Sequence, residues 1–228
     1  MNFPYIDVIV AVYNGEKYIK DTIVSIQAQS WKNVNIIIVD DGSTDNTLSV
    51  VSVLSKTDPR IKILSCPHKG VSATLNVGIK VSSAPYIAFL DADDLWHENK
   101  LEKQMQALSK SEEKICFCLV QEFESLDEVE IRTHSARSGP MQGYSKTAFL
   151  GERNVFSTFG LFDESVAIGD FVDWYAKLVR AEEPIIMLEE VLTFRRIHQH
   201  NTTRSASKSD FLKLIKTHLD EKRKNTGV

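Results

Sequence analysis

Two hydrophobic spacings take turns along the first half of the chain. Ile6 to Val12 is almost unbroken apolar sequence, the pattern of a parallel strand covered on both faces. Ile19, Ile23 and Ile26 then fall on one helical face, with Asn14 placed to cap that helix. Asn35 to Val39 reads as a second strand running into Asp40-Asp41-Gly42-Ser43. Ser43 or Asp45 is placed to cap a second helix with the stripe Leu48, Val51 and Leu54. Ile61 to Leu64 is a short third strand, Leu75 and Ile79 mark a third helix, and Tyr86 to Leu90 is a fourth strand. Leu101, Met105 and Leu108 give a fourth helical face, and Ile115 to Val120 a fifth strand. Repeated β-α units of this length predict an α/β fold, with a mostly parallel sheet, right-handed crossovers and helices on both faces.

The alternation stops after Val120. Residues 121–146 are polar, carry Gly139-Pro140 and Gly143, and show no sustained period, so a loop-rich segment that shapes a site is expected there. Asp170 to Ala181 reads as helix, and Ile185 to Leu188 and Val191 to Ile197 as two strands. From Lys208 to Lys222, Phe211, Leu214, Ile215 and His218 share one face with lysines opposite. No linker or repeat divides the chain. The expectation is a single domain with a ligand-binding half at 4–120, a second half at 121–205 and an amphipathic helix at 206–228.

Composition adds little until the charges are located. The 228 residues are 43% hydrophobic and 25% charged, with a net charge of −4, which is ordinary for a globular protein. There is no global attraction to nucleic acid or anionic lipid. Cys66, Cys116 and Cys118 read as reduced structural residues, which points to the cytoplasm. Met1 to Pro4 lacks the features of a signal peptide, and no stretch reaches membrane-spanning length. The lysine-bearing C-terminal helix leaves peripheral contact with a membrane open.

The chemistry gathers at strand ends. Asp91, Asp93 and Asp94 leave the fourth strand together, where their mutual repulsion is costly without a cation. Oxygen ligands of this kind suit Mg²⁺ or Mn²⁺, which also bridge a diphosphate. Alternatively, Asp93 or Asp94 caps the following helix. Asp40-Asp41-Gly42-Ser43-Thr44-Asp45 ends the second strand, where ligands of open α/β sheets bind. There a carboxylate can accept from a base or a ribose, and the same composition also builds a turn and a helix cap.

Four segments taken together resemble one family: Ala11-Val12-Tyr13-Asn14-Gly15-Glu16, Val39 to Asp45, Lys69-Gly70-Val71-Ser72 with Asn76 and Gly78, and Phe89 to Trp96. With Gly160 to Glu164, Ile168-Gly169-Asp170 and Arg195-Arg196-Ile197-His198, they are similar to the inverting family 2 glycosyltransferases of GT-A fold, over most of residues 4–202. The resemblance implies a nucleotide-sugar donor, a UDP-sugar being favoured, and a saccharide or lipid-linked acceptor. It places Ala11 and Tyr13 against the base, Asp41 on the base and Asp91 on the ribose or sugar. Asn14 and Ala92, within the same motifs, join the donor-binding set. Asp93 and His198 would hold Mn²⁺ or Mg²⁺, and Asp170 would be the catalytic base.

Three departures stand out. Ala11 replaces a usual proline, Leu75 replaces a frequent arginine, and the acidic pair before the last helix is reduced to Gly169-Asp170, with Asp173 one turn on. A shifted alignment puts Phe171 at the base position, and Asp170 also reads as a helix cap. Two rival readings are a sugar-phosphate nucleotidyltransferase, whose Gly-rich basic loop is missing from Ala11 to Glu16, and a non-catalytic nucleotide-sugar sensor.

Overall fold

The computed structural model describes residues 3–125, 136–166, 169–198 and 201. The expected helix over 206–228 and the middle of the expected loop, 126–135, lie outside the described residues. Strands β1 (Ile6–Val12), β2 (Val34–Asp40), β3 (Ile61–Ser65) and β4 (Tyr86–Phe89) alternate with helices α1 (Ile19–Gln27), α2 (Thr47–Thr57) and α3 (Val71–Val81). There follow β5 (Leu95–Trp96), α4 (Lys100–Leu108), β6 (Ile115–Glu124), β7 (Met141–Gln142), β8 (Leu150–Glu152), α5 (Val155–Phe159), α6 (Asp170–Arg180) and β9 (Ile186–Ile197). One sheet has the order β3-β2-β1-β4-β8-β6-β9-β5, with β7 on β6.

β1, β2, β3, β4, β6 and β9 run in one direction, and β5, β7 and β8 run against them. Because β-strand side chains alternate, Val8, Val10 and Val12 of β1 pack with Ile19, Ile23, Val51, Leu101 and Met105 on the α1, α2 and α4 side. Ile9 packs with Leu75, Ile79, Phe156, Phe171 and Trp174 on the α3, α5 and α6 side. Burial on both faces accounts for the unbroken apolar runs.

The sequence expectation needs four corrections. β8 inserts antiparallel between β4 and β6, so the β-α repeat does not extend to the fifth predicted strand. β6 runs to Glu124 rather than Val120, and β7 occupies part of the expected loop. The two predicted C-terminal strands are one, β9, whose register against β6 shifts around Leu119. Asn14 does not cap α1, which begins after Tyr18 with no side-chain cap.

Asp7 shows how a charge survives inside β1. It is 2% exposed and accepts from Ser82 Oγ (2.7 Å), Ser83 N (2.8 Å), Ala84 N (2.9 Å) and Asn35 Nδ2 (2.7 Å). These bonds pin the turn from α3 into β4, and so the start of the strand that delivers Asp91. Burial alone would raise the Asp7 pKa, but the four donors outweigh it and hold the carboxyl below its ordinary value. This stability is therefore present above about pH 4 and is lost as pH falls through the lowered folded pKa. Asp7→Ala should cost about 3 kcal/mol, because two buried N–H groups lose their acceptor. The stability gap between wild type and Asp7→Asn, followed by urea unfolding, should shrink as pH drops below about 4.

Candidate active site

The ends of β1, β2, β3 and β4 lie side by side, because these strands are parallel neighbours in the sheet. Two of the loops that follow them are latched together. Asn14 N donates to Ser43 Oγ (2.9 Å), Gly15 N to Thr47 Oγ1 (2.8 Å) and Glu16 N to Asp45 Oδ2 (3.1 Å). In return Asn14 Oδ1 accepts from Thr44 N (2.8 Å) and Glu16 Oε2 from Asn46 N (2.7 Å). Asn14 takes the left-handed conformation this clasp needs, with φ 50°. Asp45 also accepts from Thr47 N at 3.0 Å, but the cap of α2 is Asn46, with no side-chain cap bond, so neither Ser43 nor Asp45 takes the expected cap position.

Asp41 is buried at the end of β2. Its carboxylate accepts from Lys69 N (2.8 Å) and Gly70 N (3.0 Å), and His68 Nδ1 lies 2.8 Å from Oδ2. Tyr13 stacks on the His68 ring, with centroids 4.2 Å apart and planes 23° apart. Ala11 lies part-buried against the α3-side core. Ala92 packs against the other core beside Gly15. Leu75, at the position where an arginine was expected, is buried in the core, so α3 offers no cation there.

The β4 loop is braced from β9. Arg196 N donates to Asp94 Oδ1 (2.9 Å) and Arg196 Nε to the Asp93 carbonyl (2.9 Å), while the guanidinium lies over the rings of Tyr18 and Phe123. Desolvation, then the neighbouring Asp93 and Asp91, push the buried Asp94 carboxyl well above the usual range. Neither Asp93 nor Asp94 caps α4, whose N-cap is Asn99. The same brace carries His198 to Asp93, with Nε2 to Oδ2 2.8 Å, and Asn201 Nδ2 reaches the same oxygen at 3.3 Å.

Asp93 and His198 together fit one divalent ion. Two ligands at about 2.1 Å and at right angles on one metal lie about 3 Å apart, close to the spacing found. Among the described residues no group of three or more His, Cys, Asp and Glu side chains forms a complete metal site. An ion held by this pair would therefore keep positions open for phosphate oxygens and water.

Near Asp91 and Lys146, whose charges it feels, stands Asp170, the first residue of α6. The helix cap is Gly169, in the left-handed conformation at φ 87° and ψ 22°. Asp170 is buried, and among the described residues its Oδ2 has no hydrogen-bond partner. Such an oxygen costs about 1–3 kcal/mol and calls for an explanation beyond folding. Asp173 is tied instead to Lys177 at 3.5 Å, and Phe171 lies in the aromatic core.

Lys146 completes the arrangement, and nothing in the sequence pattern singled it out. It sits in a 3-10 turn, Lys146–Ala148, with Nζ 3.3 Å from Asp91 Oδ1. Burial alone would lower its pKa, but Asp91, Asp170 and Asp93 raise it. Desolvation pushes Asp91 up, against the pull of Lys146, and Asp93 and Asp170 push the same way. The turn is rigid because Trp96 Nε1 and Thr193 Oγ1 donate to Thr147 O (2.8 and 3.2 Å), and Gln104 Nε2 to Ala148 O (2.9 Å). Gln104 is itself held by the buried Lys100 at 2.8 Å. Lys146→Met leaves the carboxylates facing an incoming diphosphate uncompensated. It should weaken metal-free nucleoside diphosphate binding by about tenfold in calorimetry, or about 1.4 kcal/mol.

Residues 7–168 match the model of glycosyl transferase family 2. The chain belongs to that family. It is 33% identical over 222 residues to an uncharacterized glycosyltransferase of Rickettsia prowazekii, covering 89% of this chain and 67% of the relative. It is 33% identical over 171 residues to the putative glycosyltransferase EpsH of Bacillus subtilis, covering 73% and 49%. Among solved structures, TarS of S. aureus in complex with UDP-GlcNAc superposes with a TM-score of 0.77 at 18% identity, covering 94% of this chain and 65% of that one. The mannosyltransferase PcManGT of Pyrobaculum calidifontis, in complex with GDP-Man and Mn²⁺, gives 0.71 at 16%, covering 90% and 60%. The chain thus spans about half to two thirds of these relatives' own lengths. This family 2 glycosyltransferase has the GT-A fold, and the nucleotidyltransferase alternative falls away.

Proposed function

We propose that the protein transfers a sugar from a nucleoside diphosphate donor to an acceptor hydroxyl, with inversion at the anomeric carbon and with Mn²⁺ or Mg²⁺ as cofactor. The observation that carries this reading is the buried Asp170 oxygen, unpartnered among the described residues, in the same charge cluster as Asp91, Lys146 and Asp93. Tyr13, His68 and Asp41 form the base end of the donor site, with the backbone around Ala11 and Asn14 fixing its floor. Asp91 and Ala92 take the ribose and sugar. Asp93 and His198 hold the cation, which supplies charge stabilisation to the departing diphosphate.

Asp170 accepts the proton of the acceptor hydroxyl, and Lys146 offsets part of the negative charge at Asp91. Attack from the face opposite the leaving group needs one base and no covalent enzyme intermediate. Bound nucleotide-sugars in TarS and PcManGT, on chains of the same fold, support the donor class. A UDP-sugar is the favoured donor and a saccharide or lipid-linked hydroxyl the acceptor, at a cytoplasmic site. Among the described residues no helix is long and apolar enough to cross a membrane, so a lipid-linked acceptor would be met at the membrane surface.

Thermal unfolding with UDP-, GDP- and dTDP-sugars, each with and without Mn²⁺, tests the reading. At a hundredfold excess over Kd the matching donor adds about 2.7 kcal/mol, which raises Tm by about 5–10 °C for a chain of this size. No shift with any nucleotide overturns it, and a shift with neither hydrolysis nor transfer makes the protein a sensor.

A further inference from the structure

We propose that Tyr144 and Tyr175 form a stacking platform for a saccharide ring of the acceptor, beside Asp170; this rests on the donor and base assignments above. An aromatic cluster fills the core under α6, and at one place it reaches the surface. Phe117 lies there edge-on to Tyr144 (5.7 Å) and to Tyr175 (5.9 Å), and Tyr144 and Tyr175 lie 5.0 Å apart with their planes 33° apart. Tyr144 is 40% exposed, so the outer face of this pair is open.

Two separate chain connections place the pair next to the chemistry. Tyr144 is two residues from Lys146, which touches Asp91, so their Cα atoms are at most about 7 Å apart. Tyr175 is five residues along α6 from Asp170, a rise of about 7.5 Å and a turn of about 140°. The platform therefore shares α6 with the base and shares with Lys146 the chain that reaches Asp91.

The pair is also held in place. A Cβ at Gly143 would meet Cys118 O at 2.4 Å, so the chain bearing Tyr144 presses directly on β6. An edge-on phenylalanine beneath both rings fixes their tilt, and rigid rings bind with little ordering cost. A pyranose offers one face of C–H groups and a rim of hydroxyls. That matches an aromatic surface carrying phenol hydroxyls.

Saturation-transfer NMR with methyl glucoside, methyl galactoside and methyl N-acetylglucosaminide as probes, in the presence of UDP and Mn²⁺, tests the proposal. At least one glycoside should receive saturation on the C–H protons of one ring face. Tyr144→Ala should cut the signal at least fivefold and Tyr144→Phe should keep it, with UDP affinity unchanged in both. Tyr175→Phe, which retains the packing, should also keep the signal. UDP binding without a Tyr144-dependent glycoside signal overturns the platform alone; if UDP does not bind, GDP and dTDP replace it in turn, and absence of binding by all three overturns the donor reading and the platform with it. A signal from dodecyl but not methyl glycosides, lost in Tyr144→Ala, shows a lipid contact and also overturns it.

Discussion

Asp170→Asn should lower kcat by at least about two orders of magnitude while donor affinity stays within about twofold. The substitution keeps the shape of the side chain and removes only its capacity to take a proton. Gly169, not Asp170, occupies the helix cap. Among the described residues the Asp170 Oδ2 atom has no hydrogen-bond partner to lose. Asn at this position fills the same space, so Tm should hold or rise. Steady-state kinetics with the matched donor, alongside calorimetric donor binding, reads both quantities. A comparable loss in Asp173→Asn, without one in Asp170→Asn, would move the base one turn along α6.

Asp93→Ala should abolish the metal dependence of nucleoside diphosphate binding. In the wild type, chelation should weaken that binding at least about tenfold, or about 1.4 kcal/mol. The variant should bind like the chelated wild type and ignore added Mn²⁺. The expectation follows from the packing of Asp91, Asp93 and Asp94 with His198 at 2.8 Å, a group that repels a diphosphate unless a cation intervenes. The backbone role of the loop is kept in the variant, because Arg196 binds the Asp93 carbonyl and the Asp94 carboxylate. Undiminished, chelator-insensitive binding by the wild type would remove the cation from the mechanism.

The half of the fold made of β-α units was legible because both of its signals are physical necessities. Doubly covered strands must be apolar throughout, as Ile6 to Val12 is, and one-sided helices must show a stripe, as Ile19, Ile23 and Ile26 do. β8 left no such trace: three residues, Leu150 to Glu152, are too few to establish a period. β9 read as two strands because Glu189 and Glu190 interrupt its apolar pattern, where the register against β6 shifts. In the site, Asp93 stood out as one of the carboxylates at a strand end, while His198 and Asp170 were pointed to only by the family resemblance. Lys146 stood out in neither way, since a lysine in an irregular stretch has the look of any solvated residue. What distinguishes it is the carboxylates around it, which only the tertiary structure supplies. His68 escaped in the same way: its neighbour Lys69 belonged to a recognisable motif, while its stacking on Tyr13 joins residues 55 positions apart in sequence.

The reciprocal bonding of the loops after β1 and β2 bears on the kinetics of donor exchange. Five hydrogen bonds between 14–16 and 43–47 already hold these backbones in place, so on the proposed donor reading an arriving nucleotide would find its base end built. Little ordering would then remain for the binding step, and association would be governed by diffusion and orientation. On the same reading, residence time would be set at the other end of the donor, where the diphosphate would meet Asp93, His198 and Lys146. Changes to the clasp therefore act on how fast a donor arrives, and changes to the carboxylate end on how long it stays.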